Sequence, residues 1–169
     1  MMFLNSFLAT LPKVLLSKSR DQIRSELVTE PLKIFISYDS ADAERVRDLH
    51  DWLISEPGLD PWLDKVSIKP GQTWERVLQR ALKNAQVAIV CLSNRALKNR
   101  GNFYGESEFI RKRALSKPED AVYVIPVKLE ECGPSKRFAR WQMVDLYASD
   151  GRSRLMNTLV EQAKLNMRL

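Results

Sequence analysis

At 169 residues, with 44% hydrophobic and 28% charged residues, the chain has room for one globular domain and a short extension. The net charge of +6 permits attraction to nucleic acid, acidic lipid or phosphorylated small molecules without choosing among them. Apart from Arg111-Lys112-Arg113 the basic residues are scattered, and no groove-reading helix or aromatic–basic interleaving points to nucleic acid.

Residues 1–15 carry Leu4, Phe7, Leu8, Leu11, Val14 and Leu15 at helical spacing, interrupted by Pro12. This run is too short and too polar to span a membrane, and lacks the basic start and small-residue cleavage site of a signal peptide. The expectation is an N-terminal helical extension and linker over 1–30 and a globular domain over 31–169. Leu32 to Ser40 (L-K-I-F-I-S-Y-D-S) then reads as a strand buried on both faces, with Asp39, Ser40 or Asp42 able to cap the exposed N–H groups of the next helix. Val46, Leu49 and Leu53 predict a helix from about Asp42 to Ser55, ended by Pro57-Gly58. Leu59 to Leu63 is a second strand, and Asp64 to Gly71 a loop closed by Pro-Gly.

Trp74, Val77, Leu78, Ala81, Leu82 and Ala85 predict an amphipathic helix capped by Thr73. Val87 to Leu92 is a third, wholly apolar strand containing Cys91, whose setting predicts a buried reduced thiol; neither it nor Cys132 has metal or redox spacing, which fits a cytoplasmic protein. Asn94 to Gly101 reads as a polar, basic loop, and Tyr104 to Ser116 as a helix stopped by Lys117-Pro118. Val122 to Val127 and Gln142 to Tyr147 are the last strands, and Leu155, Leu159, Val160 and Ala163 mark a closing helix. Alternating strands and helices predict an α/β fold: a five-stranded parallel, doubly wound (flavodoxin-like) sheet with helices on both faces.

In such sheets ligands bind outside the carboxyl ends of the strands. The sequence S-Y-D-S-A-D after the first strand contains no glycine, so no dinucleotide fingerprint follows it, and a P-loop is absent from the chain. The third strand ends C-L-S-N, without the acceptor aspartate of a phosphotransfer receiver. The one histidine, His50, has no spaced partner for a metal or a catalytic serine. Two carboxylates remain, Glu106 and Glu108, at the start of the helix after the third strand. Acidic residues in a first turn favour the helix dipole and need no function. At the rim of the sheet, however, a carboxylate can steady the oxocarbenium charge that develops as a glycosidic bond breaks. Tyr38 and Trp74 are candidate flat surfaces for a departing base, and Trp74 is equally well suited to the core.

Five motifs in order, K-I-F-I-S-Y-D-S-A-D, P-W-L-D-K-V-S-I-K-P-G-Q-T-W, A-I-V-C-L-S-N, V-I-P-V-K-L-E-E-C and W-Q-M-V-D-L-Y, resemble the TIR (Toll/interleukin-receptor) domain in its bacterial form, from about Leu32 to Ala163. The resemblance implies an NAD+ glycohydrolase (an NAD+ nucleosidase) of a defence or signalling system. Such an enzyme splits the nicotinamide–ribose bond to give nicotinamide and linear or cyclic ADP-ribose. NAD+ would be the substrate, with no further cofactor and no metal. By the same resemblance the partners are other TIR domains, stacked so that the long loop after the second strand (the BB loop) completes a neighbour's site, and a sensor protein. The alternative it leaves is a non-catalytic scaffold acting by TIR–TIR assembly.

Counting from Arg100-Gly101, and back from Pro118, puts the family's catalytic glutamate at Glu106, although the aromatic usual four residues earlier is Asn102 here. Glu108 has Tyr104 at that spacing but Lys112 where a small residue is usual. Glu106 is therefore the expected catalytic residue and Glu108 the alternative. The resemblance places Ser37, Tyr38, Asp39, Asp64, Trp74 and Arg100 around the substrate.

Overall fold

The computed structural model describes residues 30–63 and 71–166. The expected N-terminal helix and residues 64–70 of the long loop, Asp64 among them, lie outside the described residues.

Five parallel strands form one sheet in the order β2-β1-β3-β4-β5: β1 (Leu32–Ser37), β2 (Leu59–Leu63), β3 (Val87–Leu92), β4 (Val124–Lys128) and β5 (Val144–Asp145). Among the described residues five α-helices connect and flank them: α1 (Ala43–Ile54), α2 (Trp74–Asn84), α3 (Asn94–Lys98), α4 (Asn102–Leu115) and α5 (Gly151–Asn166). The order reverses beside β1, so the carboxyl ends of β1 and β3 flank the switch point where doubly wound sheets bind ligands.

Side-chain alternation divides the core into two layers. Leu32, Ile34 and Ile36 of β1 join Val87, Ile89 and Cys91 of β3 against Val46, Leu49 and Leu53 of α1 and Leu155, Met156 and Leu159 of α5. Phe35, Ala88, Val90 and Leu92 face the other way, against Leu78 and Leu82 of α2 and Phe103, Ile110 and Ala114 of α4. Because β3 lies between paired neighbours and both faces are covered, all six of its residues are buried.

Three local expectations change. The stretch expected as a loop after β3 begins with the five-residue helix α3, because Ser93 Oγ accepts the Ala96 N–H and satisfies a first-turn donor. The last strand shortens to two residues: after Leu146 N–H bonds to the Lys128 carbonyl, the Ala148 and Gly151 amides fold back onto Asp145 and Ala148 and turn the chain into α5. Thr73 does occupy the N-cap of α2 with extended backbone, but its side chain makes no capping bond. That helix is held by its buried leucines.

Candidate functional site

The two aspartates that follow β1, Asp39 and Asp42, are buried and hydrogen-bonded. Asp39, 3% exposed, accepts the Ala41 N–H at 2.9 Å through Oδ1, capping a short 3-10 turn over Ser40–Asp42, and accepts Asn99 Nδ2 through Oδ2. Asn99 Oδ1 in turn accepts the Gly101 N–H at 2.7 Å. Gly101 is the N-cap residue of α4, so a chain of hydrogen bonds fixes the start of that helix relative to the end of β1.

A second network lies beside it. Asp42, 1% exposed, accepts Ser93 Oγ at 2.5 Å and Arg45 Nη2 at 2.8 Å. Arg45 also reaches Glu130 at 2.8 Å, and Glu130 accepts the Asn94 N–H at 2.9 Å. The ends of β1, β3 and β4 are thereby tied together. The Asn94 amide, with Arg45, holds the Glu130 carboxyl below the usual carboxylate range.

On the rigid start of α4 the two candidate glutamates part company. Glu106 is 4% exposed on the inward flank that also carries Phe103 and Ile110. Its neighbour Gly105 faces the indole of Trp74: a Cβ at Gly105 would stand 3.7 Å from Trp74 Cη2. Ser37 lies two residues beyond Phe35 and pairs in register with Val90, which puts it on the same face of the sheet as α2 and α4. Ser37 is fully buried, and its Oγ has no hydrogen-bond partner among the described residues. Glu106, Trp74 and Ser37 thus share one side of the sheet, near its carboxyl edge.

Glu108 is committed to arginine. Arg111 binds it with two hydrogen bonds, Nε at 2.9 Å and Nη2 at 2.6 Å, and Arg137 Nε stands 3.8 Å away. The Arg111 bonds hold its carboxyl below the usual range, so it stays charged and acceptor-only at neutral pH.

The remaining expected residues separate. Tyr38 packs into the opposite layer, with Ile36 and the α1 and α5 side chains, so it shares no face with Glu106. Arg100 stands over the ring of Tyr104, its Cζ 5.0 Å from the centroid, and lines a cavity with Glu108 that Glu106 does not line. Burial, with the Asp42 and Glu106 carboxylates adding to it, pushes the Cys91 thiol far up, which removes it as a thiolate nucleophile. Among the described residues no group of His, Cys, Asp and Glu could hold a metal ion, and no helix is long and apolar enough to cross a membrane.

Asn99, Gly105 and Arg137 were not legible in the sequence. Asn99 was one polar residue in a stretch of them. The signal that could have found Gly105 is a glycine next to the candidate glutamate, where a close approach by an aromatic is free of a side chain.

The family model for the TIR domain matches residues 34–160. Among solved structures, the TIR domain of the Toll-related receptor TRR-2 from Hydra magnipapillata superimposes with a TM-score of 0.61 at 18% identity, covering 78% of this chain and 97% of that one. A prokaryotic SEFIR domain gives 0.55 at 18% identity, covering 76% and 97%. The TIR domains of the activated Roq1 resistosome, which directly recognises the pathogen effector XopQ, give 0.50 at 19% identity, covering 79% and 84%. Among curated proteins none matches by sequence.

Proposed function

The chain belongs to the TIR domain family, and from that premise we propose that it is an NAD+ glycohydrolase whose catalytic carboxylate is Glu106. The observation that carries the reading is the division of labour on α4: Glu108 is neutralised by Arg111, whereas Glu106 lies buried next to Gly105, which faces Trp74, and on the side of Ser37.

Breaking the nicotinamide–ribose bond sends the electron pair to the pyridinium nitrogen, and nicotinamide leaves neutral. Positive charge then gathers on the ribose anomeric carbon and ring oxygen. A carboxylate in a water-poor site stabilises that charge more than it stabilises the ground state. Trp74 offers the flat face for the departing ring. The Ser37 hydroxyl, buried and with donor capacity to spare, suits a substrate hydroxyl or carboxamide. Asp39 acts one step back, through Asn99 and Gly101, by setting the angle at which α4 presents Glu106. Water completes the reaction to linear ADP-ribose, and attack by the adenine ring nitrogen gives the cyclic product. Activity in this proposal depends on homotypic stacking, in a cytoplasmic defence or signalling setting with a sensor protein upstream.

The test is to incubate the purified chain at high concentration with a crowding agent and follow NAD+ loss and nicotinamide release, with Glu106→Ala alongside. Turnover by the wild type that vanishes in the variant supports the enzyme. Wild-type protein that assembles and leaves NAD+ intact overturns it in favour of the scaffold.

A further inference from the structure

The outward flank of α4 lines a cavity of about 620 Å³, a volume in the range of small-molecule sites. Its walls come from α3, α4 and the segment after β4, and they bring together Arg100, Arg111, Lys136 and Arg137 against the single carboxylate of Glu108. Four cations gathered around one open cavity repel one another, and an anion bound among them relieves that repulsion. Glu108 answers mainly Arg111, with which it makes its two hydrogen bonds.

Arg137 is the most constrained of the four. Its guanidinium lies 3.8 Å from the centroid of Tyr104, and Nη1 donates to Ser107 Oγ, whose own hydroxyl donates to the Tyr104 carbonyl at 3.0 Å. Nε stands 3.8 Å from Glu108. A guanidinium has five N–H donors in a rigid plane. These contacts engage only part of that set and hold the plane still. Arg100 stands over the same ring at 5.0 Å, so Tyr104 gathers two guanidinium groups at the cavity wall. Arranged guanidinium groups with spare donors match the oxygens of a phosphate, which they bind through paired hydrogen bonds.

We infer that this cavity is a binding site for a small ligand carrying a pyrophosphate group, held by Arg137, Arg100 and Lys136. Glu106 does not line this cavity: at about 100° per residue, it points about 200° around the helix from Tyr104 and from Glu108, which do. A ligand here would touch the helix that bears Glu106 without entering its site. The inference does not rest on NAD+ cleavage.

Inorganic pyrophosphate titrated into the full chain, by calorimetry at constant ionic strength, provides the test. Saturable binding at one site is expected. Arg137→Gln should weaken it at least tenfold and Arg137→Lys less. Because Arg137 is partly buried, the exposed Arg100→Gln and Lys136→Gln changes are made as well, and each should weaken binding severalfold with unchanged thermal melting. Glu106→Gln should leave the affinity as it is, whatever its effect on NAD+. No saturable binding, or binding indifferent to Arg100 and Lys136, would overturn the assignment. So would a single-stranded oligonucleotide that displaces pyrophosphate at equal phosphate concentration, since the surface would then be one for nucleic acid.

Discussion

Gly105 faces the Trp74 indole across a space that one methyl group would fill: a Cβ on the glycine would sit 3.7 Å from Cη2 and 4.0 Å from Cζ3. That distance is ordinary van der Waals contact, so one methyl group fits, and a larger side chain turned the same way competes with the ring for space. Gly105→Ala should therefore keep NAD+ turnover and raise stability by about 0.5–1 kcal/mol, the usual gain for removing glycine from a helix interior. Gly105→Leu should displace Trp74 and depress turnover at least tenfold. Melting temperatures and nicotinamide release measured on both variants check the pair.

Asn99 couples Asp39 to Gly101 and has no other evident duty. Asn99→Ala leaves the buried Asp39 side chain with one fewer donor and frees the N-cap residue of α4. A loss of about 1–3 kcal/mol is expected from the unmade bonds. If Asn99 positions α4, NAD+ turnover should fall with little change in the substrate concentration needed for half-saturation. Denaturant unfolding and steady-state kinetics separate the two effects.

Gly151 begins α5 with no room for a side chain. A Cβ there would stand 2.2 Å from the Asp145 carbonyl oxygen and 2.8 Å from Leu146 Cα, both backbone atoms that cannot swing aside. Gly151→Ala should cost about 1–3 kcal/mol through overpacking, read by chemical denaturation. The damage would fall on the exit from β5.

Glu108 contributes a pH dependence of known sign. Its carboxyl is held below the unfolded value by the Arg111 hydrogen bonds first and the surrounding cations second. The stabilisation is therefore fully present above the unfolded carboxylate pKa and disappears as pH falls through the depressed folded one. Both side chains are nearly a third exposed, so the pair is worth under about 1 kcal/mol. Glu108→Gln should flatten the acid limb of the stability curve and leave neutral-pH turnover within about threefold.

The order of elements and both core layers were legible because hydrophobic period survives without context: β3 is apolar throughout and buried throughout, and Phe103 and Ile110 fall on the inward side of α4. Boundaries set by single hydrogen bonds were not. One hydroxyl, Ser93 Oγ, turns expected loop into helix, and the folding back after Leu146 shortens β5. For the site, helical spacing separates Glu106 from Glu108 but does not say which of them Arg137 approaches, since that arginine arrives from far along the chain. Tyr38 and Arg100 sit in sequence beside residues of the candidate site, and the strand pleat and the stacking on Tyr104 carry them elsewhere.

In the proposed reaction Glu106, and not Glu108, carries the chemistry. Turnover of NAD+ by matched Glu106→Gln and Glu108→Gln proteins, each shown to assemble like the wild type, distinguishes the two. Removing the stabilising charge at Glu106 should lower kcat by about 10²–10³-fold, the size of effect seen when one electrostatic contact to a transition state is lost. The Glu108 variant should keep near wild-type activity. Loss of turnover in the Glu108 variant with activity retained at Glu106 would contradict the account.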